Sequence, residues 1–325
     1  DRDGDIDLFV GAQSISADYG KTPESVLLRN DSGTFTKVED AEVSVAGMVT
    51  DAVWHDYDRD GWEDLIVVGE WMPPTIFKNE SGTLVAKPDV LPNVSGLWQS
   101  IVPFDIDGDG DMDYLLGNWG ENSKFVADDD FPLKMYYADF DDNGSSETVV
   151  ATAKKGKYYP LEGLDELAAQ MVYLRKTFTS YERFAGKTVE QVFGESLSKA
   201  IVKEVNVLTS GYLLNENGKY QFKVFPDRWQ LAPIMDFIVA DFDGDGKQEA
   251  LAGGNYHGVK PLHGRLDAFT GGLIKNEAEY IDGFEAGLEF RGKSLREMRI
   301  INISNQPHLL TVFNNDSLQV YQYNF

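Results

Sequence analysis

Carboxylates recur along this chain at a spacing that suits a hard cation. The fullest copy is Asp105-Ile106-Asp107-Gly108-Asp109-Gly110-Asp111-Met112-Asp113. Three further complete copies start at Asp56, Asp139 and Asp241, and a clipped copy, Asp1-Arg2-Asp3-Gly4-Asp5-Ile6-Asp7, opens the chain. Aligned, they place side-chain oxygens at positions 1, 3, 5 and 9 and glycine at position 6. The donors are Asp56, Asp58, Asp60 and Asp64; Asp105, Asp107, Asp109 and Asp113; Asp139, Asp141, Asn143 and Glu147; Asp241, Asp243, Asp245 and Glu249; and, in the clipped copy, Asp1, Asp3 and Asp7. Calcium takes six to eight hard oxygens at about 2.3–2.6 Å, so several carboxylates must converge within a few residues, and glycine lets the backbone turn around the ion. Packed together without a cation, the same groups would resist mutual ionisation. The pattern predicts calcium loops, with up to five Ca2+ ions.

An EF-hand also begins Asp-x-Asp-x-Asp-Gly, but it closes on a bidentate glutamate at position 12. Position 12 here is Val67, Leu116, Val150 and Ala252, and none of these can bind a metal. The acidic residue falls at position 9 and opens apolar runs such as Leu65-Ile66-Val67-Val68, which read as strands. Each loop is therefore expected to join two strands. A solvated Asp/Gly turn would explain one copy; five copies in one register, each before a strand, favour the metal.

The elements that must position these loops read as repeats. Complete loops start 49, 34 and 102 residues apart. Around the second loop the unit is a strand from Val49 to His55, the loop, then strands at 65–70, 75–78 and 83–87, a four-stranded propeller blade. Outer hairpins recur at 26–35, 212–222 and from Leu273, and a last pair lies at 308–313 and 318–323. The spacing predicts an all-β fold, a calcium-binding β-propeller of about six to seven blades in one domain over 1–325. From 161 to 208 the period shifts towards 3.6, with Leu164, Leu167, Met171, Leu174 and Phe178 on one face and Thr188-Val189-Glu190-Gln191 as a capping box, so a helical insertion is expected there.

The formal charge of −25 is concentrated in the loops, which hold 18 of the 54 acids at the ligand positions. Five calcium ions would leave −15, with no basic stripe, which argues against nucleic acid as a partner. The absence of cysteine removes disulfides and thiolate metal sites. No apolar run approaches 18 residues, so direct membrane insertion by this segment is not expected. The chain starts inside a loop, lacking that loop's first ligand, which suggests a piece of a longer protein with any export signal upstream. Loops of this affinity work where calcium is plentiful, which points to an extracellular or cell-surface, outer-membrane-associated location.

The phrase Asp-x-Asp-x-Asp-Gly-x-x-Asp followed by a strand ending in glycine, as in Asp64-Leu65-Ile66-Val67-Val68-Gly69 and Asp7-Leu8-Phe9-Val10-Gly11, resembles the FG-GAP repeats of integrin α-chain propellers. It is still more similar to the repeats of bacterial proteins called VCBS repeat-containing. Segments such as 135–141, 232–236 and 254–268 resemble large Bacteroidetes-type surface members. The resemblance implies a calcium-stabilised propeller in which position 7 adds a backbone carbonyl, here from Trp62, Asp111, Ser145 and Lys247.

Catalytic signatures are missing. There is no Gly-x-Ser-x-Gly elbow, Walker loop, His-Glu-x-x-His helix or dinucleotide fingerprint. His257, Lys260, His263, Arg265 and Asp267 form one polar group that a polysaccharide lyase could use, although solvated or structural histidines are commoner. The tryptophans, Trp54, Trp62, Trp71, Trp98, Trp119 and Trp229, could stack sugars, but sit in or beside strands where a core role is favoured. The reading is a non-catalytic calcium-binding scaffold at the cell surface or secreted, with a protein or glycan partner; a lectin-like propeller and a calcium-dependent lyase are the alternatives.

Overall fold

A computed structural model of the chain describes residues 1–39, 41–260 and 263–323. Among these, the strands form six antiparallel sheets. Sheet I contains Leu8–Val10, Val26–Asp31 and Thr34–Val38; sheet II contains Met48–His55, Asp64–Met72, Thr75–Asn79 and Leu84–Ala86, with Gly96–Leu97 paired to the end of its second strand. Sheet III contains Ser100–Phe104, Asp113–Gly117, Gly211–Glu216 and Lys219–Val224. Sheet IV contains Leu133–Ala138, Glu147–Lys154, Lys157–Pro160 and Ile201–Val205; sheet V contains Ile234–Ala240, Glu249–Gly254, Gly272–Asn276 and Glu279–Asp282; sheet VI contains Leu295–Ile303, Gln306–Phe313 and Gln319–Gln322. The strand expectations around the second loop hold to within two residues.

Loop spacing led to the expectation that successive loops mark successive blades, and here the structure differs. Sheet III is interrupted: Tyr114 pairs with Leu213, and everything between, including the Asp139 loop, sheet IV and the helices, is inserted in the middle of it. The long gap before Asp241 thus hides the outer half of sheet III as well as helices. Those helices are short, Leu164–Gln170, Tyr173–Thr177, Tyr181–Phe184 and Val189–Phe193, with a 3-10 turn at Gly194–Lys199. The expected apolar face is buried at Leu164, Leu167, Met171, Leu174 and Phe178. Thr188 and Gln191 form the capping box, each side chain accepting from the other's backbone N–H.

The first strands of sheets II, III, V and VI lie side by side in that order. Together with Gly11 and Gln13 after the first strand of sheet I, they line a polar channel of about 590 Å3. Contacts between neighbouring sheets are close: a Cβ on Gly117 of sheet III would lie 2.4 Å from the Ile234 carbonyl oxygen of sheet V. Large apolar side chains fill the space between sheets. Trp98 and Trp229 are wholly buried, as the core reading of the tryptophans expected, and truncating a residue of that kind costs about 3–5 kcal/mol.

Sheets are also stapled through the channel. In the first strand of sheet II a bulge turns Asp51 sideways, and its Oδ2 accepts from the Ile101 N–H of sheet III at 2.9 Å. Asp236, at the same place in sheet V, accepts from the Met298 N–H of sheet VI at 2.6 Å. Both stand five residues before a loop, where sheet III has Ser100, whose buried hydroxyl finds no partner among the described residues. Burial raises both carboxyls, Asp236 from 3.8 to about 7, against the lowering effect of the accepted hydrogen bond.

A raised pKa means that folded Asp236 keeps a proton the unfolded chain has released. Its contribution therefore favours the fold at low pH and is lost as pH rises from about 4 through about 7. Asp236→Asn keeps an oxygen for Met298 but carries no charge. The variant is expected to melt a few degrees higher than the parent at about pH 8, with the difference closing by about pH 4, as read by scanning calorimetry.

Candidate functional site

All five acidic loops adopt one backbone path. Position 6 is glycine with φ between 85 and 101° (Gly4, Gly61, Gly110, Gly144, Gly246), the left-handed region that glycine enters without steric cost. Position 4 is left-handed too, at Arg2, Arg59, Gly108, Asp142 and Gly244, with φ of 55 to 78°. In sheets II to V the loop joins the first two strands, as expected; sheet VI turns there at Ser304 and Asn305 without carboxylates.

The hydrogen bonds within the loops repeat as well. Position 1 accepts from the N–H of position 6 at 2.8–3.1 Å in each complete loop: Asp56 from Gly61, Asp105 from Gly110, Asp139 from Gly144 and Asp241 from Gly246. Position 5 accepts from the N–H of position 7 at 2.7–2.8 Å: Asp60 from Trp62, Asp109 from Asp111, Asn143 from Ser145 and Asp245 from Lys247. Position 9 accepts across the loop from the N–H of position 2: Asp64 from Tyr57, Asp113 from Ile106, Glu147 from Phe140 and Glu249 from Phe242.

The sequence reading missed a partner of these loops. In three sheets an asparagine on the strand after the loop's second strand donates its backbone N–H to the position-9 carboxylate: Asn30 to Asp7 at 2.9 Å, Asn79 to Asp64 at 2.7 Å and Asn215 to Asp113 at 2.7 Å. Its side-chain amide donates to the carbonyl of position 8 (Ile6, Glu63, Met112), and its Oδ1 accepts from a glycine three residues on (Gly33, Gly82, Gly218). The signal in the sequence is the Asn-x-x-Gly of these three hairpins, which specifies a turn but does not name its remote carboxylate partner.

The folded loops gather carboxylates. Asp56, Asp58 and Asp64; Asp105, Asp107 and Asp113; Asp139, Asp141 and Glu147; and Asp241, Asp243, Asp245 and Glu249 each present oxygens within 4.8 Å of one another. Asp60 and Asp109 stand outside these groups, as do Asp1, Asp3 and Asp7 of the clipped loop, where the amino group of Asp1 lies 3.2 Å from Asp7 Oδ2. Burial raises the carboxyls of Asp64, Glu147 and Glu249, and that of Asp113 to about 6. Cations are drawn in: Lys78 Nζ bridges Asp58 and Asp60, Lys275 pairs with Asp243, and Arg59 pairs with Asp111 at 2.8 Å. One carboxylate oxygen, Asp141 Oδ1, is buried with no hydrogen-bond partner among the described residues. An all-oxygen donor set, an orphaned buried carboxylate oxygen and raised carboxyls fit a hard divalent cation.

The polar group around the histidines is dispersed. His257 Nδ1 lies 3.2 Å from the Arg265 guanidinium, His263 packs on Phe125 with ring centroids 5.4 Å apart and the planes tilted by 54°, and Lys260 pairs with Glu162 at 2.9 Å. Desolvation lowers both histidines, which favours their neutral forms.

The molecule is thus an all-β chain of repeated antiparallel sheets, most of them carrying an acidic loop between their first two strands. Residues 1–67 and 56–116, a stretch that holds the first three loops, match the FG-GAP-like repeat family. No curated protein matches the chain. A solved structure concerned with recognition of non-reducing terminal N-acetylglucosamine by an Agrocybe aegerita lectin is 13% identical, with 98% of this chain and 90% of that one covered. Its TM-score is 0.24, too low for the likeness to carry an argument about fold.

Replacing Asn79 by alanine removes the two side-chain bonds that tie the hairpin to the second loop while leaving its backbone donor in place. Both bonds are exposed to solvent, and the net loss for bonds of this kind is about 0.5–1.5 kcal/mol. Asn79→Ala is expected to lower stability within that range in urea unfolding, whereas Glu80→Ala, one residue on, should change it by less than about 0.5 kcal/mol.

Proposed function

We propose that the chain is a calcium-stabilised β-propeller that serves as a non-catalytic interaction scaffold, secreted or displayed at a cell surface. The observation that carries this reading is the shared backbone path of the four complete loops and the three hydrogen bonds repeated in each, with three or four carboxylate oxygens presented within 4.8 Å at a strand junction. Asp56, Asp58 and Asp64, and their counterparts in the other loops, would hold the ions. Position 5 and the position-7 carbonyls of Trp62, Asp111, Ser145 and Lys247 would complete the oxygen set. Bound calcium would neutralise clustered carboxylates and lock each strand junction, so its contribution is rigidity rather than reaction chemistry.

Several features support a propeller. Four sheets stand side by side by their first strands, and sheet I adds residues to the same channel. Sheet IV, inserted within sheet III, packs its last strand against the second strand of sheet II and is a separate addition to this row. The strongly acidic surface and the calcium loops favour an extracellular setting, and among the described residues no helix is long and apolar enough to cross a membrane.

The metal reading makes a direct prediction. A ligand that binds only the folded state stabilises it by about 2.7 kcal/mol at a hundredfold excess over its dissociation constant. Adding calcium to chelated protein should raise the melting temperature by several degrees, and Asp107→Ala, whose side chain is exposed, should release one bound ion per chain by atomic-emission analysis. A melting temperature indifferent to calcium would refute the proposal.

A further inference from the structure

Three second strands begin at a position-9 carboxylate and end beside an aromatic residue: Asp64–Met72 contains Trp71, Asp113–Gly117 is followed by Trp119, and Glu249–Gly254 by Tyr256. Metal loops and aromatics therefore lie at opposite ends of the same strands. The turns that present two of these rings are held by buried asparagines. Asn118 Oδ1 accepts from the N–H groups of Leu97 and Trp119, and Asn255 Oδ1 accepts from that of Phe269. Trp119 and Tyr256 sit together with centroids 5.3 Å apart. All three aromatics line a cavity of about 730 Å3, within the roughly 300–1,000 Å3 range of small-molecule sites.

Its other wall belongs to the insertion, through Phe125, Thr148 and Glu162. Glu162 is the decisive residue. It is only 6% exposed, its Oε1 is 2.9 Å from Lys260 Nζ, and its Oε2 is buried with no hydrogen-bond partner among the described residues. An unpaired buried carboxylate oxygen is costly, and a ligand that donates to it removes that cost. At the far side, Tyr19 donates to Glu70 at 2.6 Å and accepts from the Trp71 indole at 2.9 Å.

We propose that this cavity, between the aromatic ends of sheets II, III and V and the inserted module, is a binding site for a neutral pyranose. Its apolar ring face would rest on Trp119 and Tyr256, and one hydroxyl would donate to Glu162 Oε2. Lysine already neutralises Glu162, the second carboxylate of the lining, Glu70, is engaged by Tyr19 and Gln99, and the remaining polar lining consists largely of uncharged hydroxyl and amide groups such as Ser14, Thr148 and Gln170. That lining suits a hydroxyl-rich neutral ligand better than a cation. The site does not depend on the metal reading, since its residues lie away from the loops.

The test uses the whole chain in calcium-containing buffer, with the methyl pyranosides of glucose, galactose and mannose as probes. Saturation-transfer NMR should show transfer to ring protons of at least one, and titration should change the tryptophan fluorescence. Glu162→Gln, which keeps shape and removes the charge, should weaken binding about tenfold. Phe125→Ala, which removes the half-buried ring packed beside Trp119, should also weaken it, while Glu80→Ala, on the exposed turn of a sheet II hairpin, should leave it unchanged. No transfer from any pyranoside, equal affinity in the Glu162→Gln and Phe125→Ala proteins and the parent, or competition by tetramethylammonium with no pyranoside response would each overturn the proposal.

Discussion

A carboxylate at the head of a buried strand has to find several donors at once, and the position-9 residue is where this fold meets that requirement. Asp113 is almost wholly buried, yet it accepts from Ile106 in its own loop and from Asn215 in a hairpin more than a hundred residues away in sequence. One side chain thus closes the loop and anchors the next strand. Asp64 does the same with Tyr57 and Asn79. Two backbone donors do not offset the full cost of burial, which is why the carboxyl of Asp113 stays raised to about 6. That residual cost makes the site receptive to a cation.

The same economy of side chains joins one sheet to the next. Propeller-like rows need contacts between first strands whose backbone groups are already used within their own sheets. Bulges at Asp51 and Asp236 bring a carboxylate on the channel wall to a neighbour's N–H. Ser100 has the bulge-equivalent place but too short a side chain, and its hydroxyl is left without a partner. Sheet III instead meets sheet V through backbone, with the Ile234 N–H donating to the Asn118 carbonyl at 3.1 Å and Gly117 allowing the Ile234 carbonyl to approach.

Much of this was legible in the sequence because the information is local. A nine-residue loop contains its own ligands and its own glycine, so alignment of Asp56, Asp105, Asp139 and Asp241 was enough to place the strand junctions. The capping box at Thr188 was legible for the same reason. The interruption of sheet III was not, because pairing Tyr114 with Leu213 depends on contacts across the whole insertion. Nothing in residues 211–224 says which upstream strand they complete. The asparagine staple lay between these cases, with its Asn-x-x-Gly turn readable and its remote carboxylate partner not.

The two ends of the central strands follow from one chain of constraints. Strands such as Asp113–Gly117 are buried on both faces, so polar chemistry can appear only where they enter and leave the core. At entry the strand carries an acid, stabilised by loop and hairpin donors. At exit it carries glycine and then an asparagine whose amide satisfies a turn, and the turn sets an aromatic ring against open space. An inserted module roofs that space and brings an acid, Glu162, to face the rings. Strands this short and this buried do not bend, and their packing keeps the aromatic wall in place for whatever occupies it.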